Sequence, residues 1–167
     1  MPSRRLLLAI ALSFAAATAF AQGPDPAQIV KSIYDSKDRY GAAGSLEMRA
    51  KARPALSKSF AALWKRSDDR TPAEDEPVPG FDIASNSQGL EIARAEVKVE
   101  RQDAQRATVV AKLIPGAPFH RNSPEENVVR YDFVRENGHW KIDDVRTTNG
   151  TKPWSARKTF TESRARH

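Results

Sequence analysis

At Leu90 the periodicity of the chain changes, and that change constrains the fold more than any other feature. Before it, apolar residues recur at helical spacing. Ile29, Val30, Ile33 and Tyr34 form one stripe, and Leu56, Phe60, Leu63 and Trp64, at i, i+4, i+7 and i+8, form a second. After it they recur every second residue. "LEIARAEVKVER" sets Ala93, Ala95, Val97 and Val99 on one face and Arg94, Glu96, Lys98 and Glu100 on the other. "RATVVAKLI" turns Ala107, Val109, Ala111 and Leu113 inward, "NVVRYDFVR" groups Val129, Tyr131 and Phe133, and "HWKIDDVRT" adds Trp140 and Ile142. A sheet with one apolar face must bury it, and the helices upstream carry the matching stripes. The expectation is a single α+β domain over residues 22–148. A curved antiparallel sheet of at least four strands wraps around N-terminal helices packed in its concavity, giving a cone-like body.

Turn residues supply the punctuation. Asn137-Gly138 between the last two runs predicts a two-residue hairpin of type I′, which needs positive φ twice. "ERQDAQR" suits another hairpin, and the 115–126 loop joins the middle pair. Asp25 and Pro26 fit the N-cap and first position of the first helix, Gly41 its stop, and Pro54 divides the next segment into a short and a longer helix. "RTPAEDEPVPGFDIASNSQG" reads as a connection with a short strand at Phe81, Asp82 and Ile83. Its acids lack the alternating ligands of a calcium loop. No internal repeat is found.

The opening "MPSRRLLLAIALSFAAATAFAQ" has the parts of a secretory signal: Arg4 and Arg5, an apolar run, and Ala19-Phe20-Ala21 before a cut at Gln22. The run is shorter than the roughly 20 apolar residues of a membrane helix. An exported, periplasmic or secreted chain without stable membrane insertion is expected, with residues 1–21 removed. Cysteine is absent, which excludes thiol nucleophiles and thiolate metal sites.

The formal net charge is +6, but it is not spread evenly. Residues 149–167 hold Lys152, Arg157, Lys158, Arg164 and Arg166 against Glu162, and residues 22–148 hold 20 basic and 20 acidic side chains. A neutral body with a basic end is not a phosphate-gripping face, so no nucleic-acid partner is expected. The end itself reads as a basic, solvated, disordered-type tail.

The last hairpin carries a resemblance. Tyr131 and Phe133 alternate on one strand, a tight turn follows, and then Gly138, Trp140, Ile142 and Asp144 form a Gly-x-Trp-x-Ile-x-Asp run. This resembles the nuclear-transport-factor-2-like superfamily, with its cystatin-like cone, and within it a group of exported bacterial domains of unknown function. The resemblance implies a cone of curved sheet closed by helices, with a pocket inside. It implies no one reaction, since members include isomerases, dehydratases, ligand binders and protein-binding modules.

Asp143 and Asp144 are the residues most suggestive of chemistry. Strict alternation from Trp140 turns Asp144 inward, where desolvation beside Tyr131 would raise its pKa toward that of a useful base. A bulge at the pair instead returns Val145 to the core and leaves both carboxylates near the rim, within reach of Arg130 or Arg146. The bulge is expected, because Val145 is the better core residue. Tyr34, Trp64, Asp82, His120, Tyr131 and Trp140 are the candidate pocket lining. His139 starts a strand and faces solvent, and His120 sits on a loop that can overhang a pocket. No pair of histidines and acids has a spacing that fixes a metal, so neither metal nor cofactor is expected. The polar face of alternating charges permits cross-strand pairs worth about 0.2–1 kcal/mol each.

These residues point to an exported, non-enzymatic binding module holding a small apolar ligand in an aromatic-lined cone or a protein partner on its sheet. The alternatives are a cofactor-independent enzyme of isomerase or dehydratase type using Asp144, and a periplasmic protein-interaction or immunity-type protein. Pairing of two copies through the open sheet is compatible with each.

Overall fold

The computed structural model describes residues 23–35, 53–72, 74–75, 78–88, 92–116 and 123–162. Helix α1 (Pro26–Asp35) comes first, then a 3-10 turn (Arg53–Ala55) and α2 (Lys58–Asp68). Strands β1 (Ile92–Gln102), β2 (Arg106–Pro115), β3 (Val128–Glu136), β4 (His139–Asn149) and β5 (Lys152–Ser155) follow, and α3 (Ala156–Glu162) closes the chain. The strands form one curved antiparallel sheet in chain order, with the helices against it. The α+β architecture read from the periodicity is therefore what forms.

Each start and stop has a local cause. The Asp25 side chain accepts the Gln28 N–H at 2.8 Å, capping α1 ahead of Pro26. Ser57 caps α2 by accepting the Phe60 N–H at 3.0 Å. Asp103 turns the first hairpin by accepting the N–H groups of Gln105 and Arg106 at 2.7 and 2.8 Å. Asn137 and Gly138 have φ of 50° and 80°, as a type I′ turn requires. Gly41 and the short helix expected before Pro54 lie outside the described residues, as do the expected leader and His120.

The core lies on the concave face. Val109, Ala111, Leu113, Val129, Tyr131, Phe133, Ile142 and Val145 are all buried there, with α1 against β1 and β2 and with α2 and α3 against β4. On β1 the inward run begins at Ile92 rather than Ala93, because the register with β2 shifts between Ile92 and Arg94. Phe81, Asp82 and Ile83 do not make a strand. Asp82 and Ser87 bridge across a tight turn in which Asn86 has φ of 53°.

The reading of residues 149–167 as a solvated tail is corrected for 152–162. Lys152–Ser155 pairs with β4, placing Trp154 opposite Thr147, and Trp154 meets Phe81 at 5.1 Å between ring centroids. In α3, Phe160 is buried against Phe60 at 6.0 Å and Trp64 at 5.1 Å. The segment's charge dominated its composition, but Ala156 and Phe160 recur at helical spacing and turn inward. Phe160 thereby covers the Trp64 ring.

Truncating Phe160 removes a ring from a closed three-ring cluster. Phe160→Ala should destabilise the fold by about 3–5 kcal/mol, measured by chemical denaturation. Lys158→Ala, on the exposed side of the same helix, should change stability by less than about 0.5 kcal/mol.

Candidate functional site

Register settles where Asp143 and Asp144 point. Asp132 pairs with Asp144, but Phe133 pairs with Ile142, so Asp143 is the extra residue of a β-bulge. The expected slip is present: Val145 returns to the core fully buried, and neither carboxylate enters it. Asp144 and Tyr131 consequently lie on opposite faces of the sheet, so an inward Asp144 assisted by Tyr131 is excluded by the register.

The partners expected for the two carboxylates are also corrected. Arg130 is engaged by Glu100 at 3.0–3.2 Å, and Arg146 by Asp132. Asp143 instead accepts hydrogen bonds from Ser57 at 2.6 Å, Ser59 at 3.2 Å and the Arg157 guanidinium at 2.5 Å. Asp144 accepts from the Ser155 hydroxyl at 2.6 Å and from the backbone N–H groups of Arg157 at 2.9 Å and Val145 at 2.8 Å. Burial pushes the Asp144 carboxyl above the usual carboxylate range despite those bonds, and the nearby Asp132 adds to the rise. Its acceptor atoms are nonetheless turned to the start of α3, so the group seats a helix.

Of the six lining candidates, the structure brings together Tyr34, Tyr131 and Asp82. The two tyrosine hydroxyls lie 2.8 Å apart, and Tyr34 donates to the Ala84 carbonyl at 2.9 Å. Since Tyr34 has one proton to give, Tyr131 donates to Tyr34, forming a directed chain from β3 through α1 to the 78–88 turn. The rings meet edge to face at 6.3 Å. Burial raises both hydroxyl pKa values above the ordinary tyrosine value, and the charge of Asp82 adds to the rise in each. Both groups are therefore neutral donors at physiological pH. Asp82 itself accepts the Ser85 N–H at 2.9 Å. Trp64 sits apart, stacked with Phe60 and Phe160, and Trp140 lies under the Arg135 guanidinium, 4.9 Å from its ring centroid, beside the β3–β4 turn.

The outer face holds a polar network that sequence reasoning did not assemble. Thr108 donates to Asp132 at 2.7 Å and accepts from Arg101 at 2.8 Å, while Arg146 grips both oxygens of Asp132. Burial opposes ionisation of Asp132. The hydrogen bonds from Arg146 and Thr108 and the charges of Arg146 and Arg101 outweigh it and hold the carboxyl below its ordinary range. Thr108 and Val110 point outward yet are buried, as expected where long charged side chains lie over a pleated surface. The alternation of charge along β1 and β3 was the available signal, but the long reach of Arg101 and Arg146 was not visible in it.

Among the described residues no cluster of acids and histidines is arranged to hold a metal, and no helix is long and apolar enough to cross a membrane. No family model, curated protein or solved structure matches the chain.

The tyrosine chain is directional, so its two ends differ. Tyr34→Phe leaves the Tyr131 donor and the Ala84 carbonyl unmet and should cost about 1–3 kcal/mol, more than Tyr131→Phe, which removes one donor and should cost about 1 kcal/mol. Because both folded pKa values are raised, the associated stability is complete below the unfolded tyrosine value of about 10 and is lost as pH climbs toward the folded values. Denaturation midpoints of the wild type and of the doubly substituted Tyr34→Phe, Tyr131→Phe chain should therefore converge above that pH.

The two aspartates facing each other across β3 and β4 have opposite shifts and should respond oppositely to acid. Asp132, lowered, contributes stability above its unfolded value that is lost as pH falls through the folded one. Asp144, raised, opposes folding increasingly as pH rises through its folded value. At neutral pH Asp132→Asn should cost about 1–3 kcal/mol and Asp144→Asn less, with the gap closing in acid, as read by urea denaturation at each pH.

Proposed function

We propose that the chain is an exported, non-enzymatic binding module of the cone type it resembles, and that it recognises an acidic protein surface through the outer face of its sheet. The observation that supports this is an imbalance on that face. Glu96, Glu100, Asp132 and Asp144 are each engaged, by Arg94, Arg130, Arg146 and Ser155 respectively. Lys112 and Arg106, in contrast, are exposed and make no ion pair among the described residues, although the charge of Arg106 also acts on the neighbouring Asp103. The outer face thus presents positive charge that no ion pair engages, held on one rigid surface, where it steers and orients an acidic partner.

The other readings draw less from the geometry. A ligand seated in the cone would meet the Tyr34–Tyr131 corner, whose hydroxyls are already bonded to each other and to Ala84 in a packed core. An enzyme using Asp144, with Tyr131 or His120 assisting, would need that carboxylate turned inward, and the bulge sets it on the face opposite Tyr131.

A photo-crosslinking side chain placed at Val128, the cross-strand neighbour of Lys112, tests the proposal in the chain's own host. A covalent adduct with a second, acidic protein is expected. It should disappear in high salt and in the Arg106→Glu, Lys112→Glu variant, whose melting temperature should match the wild type. An adduct indifferent to both, or none at all, would overturn the acidic-partner reading.

A further inference from the structure

The two edges of the sheet are finished differently. Along β4 the far edge is covered twice: β5 pairs with Arg146 to Asn149, and Leu56 bridges Ile142 while Ser57 donates to its carbonyl at 2.7 Å. Strand β1 forms the opposite edge. It is the joint-longest strand of the sheet, and among the described residues nothing pairs with its outer side. An open edge of this length is a template for another strand.

Its side chains state which strand. We propose that β1 pairs antiparallel with β1 of a second copy about a two-fold axis through Val97, joining two sheets into one. At that register Glu96 of each copy, which its own Arg94 also engages, faces Lys98 of the other, and Arg94 comes opposite Glu100, the residue at the β1 bulge that Arg130 holds. The neighbouring registers that keep the same faces aligned fail. Centring on Glu96 opposes Glu96 to itself and Arg94 to Lys98, and centring on Lys98 opposes Lys98 to itself and Glu96 to Glu100. Like charges directly opposed repel, so one register is selected.

Three features of the isolated chain agree with this occupant. Lys98 has no ion-pair partner among the described residues, and pairing supplies the Glu96 of the second copy. Val99 is 43% exposed, the one large apolar side chain so placed among the described residues, and pairing sets it against Ala95. The register shifts on β1 lie between Ile92 and Arg94 and between Val99 and Arg101, so the straight run of the strand contains the proposed axis. The edge used here is separate from Arg106 and Lys112, and the inference does not rest on the acidic-partner reading.

The test uses the full chain, expressed with its own leader and purified. Sedimentation across a range of concentrations should show a reversible dimer. Glu96→Lys sets a second cation against Lys98 twice per dimer and should weaken association by about tenfold or more. The Glu96→Lys, Lys98→Glu double variant restores opposite charges at both positions and should recover most of the wild-type affinity. Both positions are exposed, and thermal melting monitors that the fold is kept. Since the chain has no cysteine, Val97→Cys gives a second readout: it should form an intermolecular disulfide under mild oxidation, while Lys98→Cys should not. A wild type that stays monomeric throughout, a Glu96→Lys variant that associates normally, or a double variant that fails to recover would each overturn the pairing.

Discussion

The arrangement depends on one extra residue in β4. Without a bulge at Asp143, alternation from Trp140 and Ile142 would drive Asp144 into the apolar concavity and push Val145 out. With it, Val145 keeps the core continuous and two carboxylates are released at the sheet surface. They then act in opposite directions along the chain. Asp143 gathers Ser57, the cap of α2, together with Ser59 and Arg157, and Asp144 receives the Ser155 hydroxyl and the Arg157 N–H at the start of α3. Negative charge at helix N-termini is favourable, because the unpaired N–H groups there carry partial positive charge. The bulge thus fastens the helix before the sheet and the helix after it to a single point.

That fastening explains why α3 is ordered despite being short. Seven residues are too few to hold a helix by themselves in water. Here Phe160 enters the Phe60–Trp64 cluster, while Arg157 bonds the Asp143 carbonyl and side chain and lies over the Phe60 ring. Apolar burial supplies the attraction, and the charged contacts fix the angle at which the helix docks.

Much of the architecture was legible because it rests on period and turn chemistry. The strands β2, β3 and β4, the Asn137-Gly138 turn, the Asp25 cap and the burial of Val145 follow from local pattern, and each of these patterns agrees with the tertiary fold. Two kinds of feature were not legible. Phe160 and Ala156 carry their helical spacing inside a segment whose basic side chains outweigh them in any composition. The partners of Asp143 and Asp144 come from Ser57, Ser155 and Arg157, residues 11 to 86 positions away in sequence, and nothing in a local window reports such a contact. The lining candidates show the same limit. Tyr34 and Tyr131 meet because α1 lies against the sheet, and Trp64 is lost to the lining because an unforeseen helix packs on it.

The tyrosine chain and the outer network divide the polar chemistry of the domain by environment. Inside, where an ion would be costly, the polar groups are hydroxyls kept neutral by burial, and their directed bonds specify how α1 meets β3 without introducing a charge. Outside, Asp132 is ionised by its arginines, and Thr108 joins the same network from β2. A group such as Asp144, desolvated yet on the outer side, lies at the boundary between these regimes. Its raised pKa follows from the burial that seating α3 imposes, with all its acceptor contacts made to the chain itself. A perturbed carboxylate is informative about function only when its lone pairs face an open space, and here they face a helix.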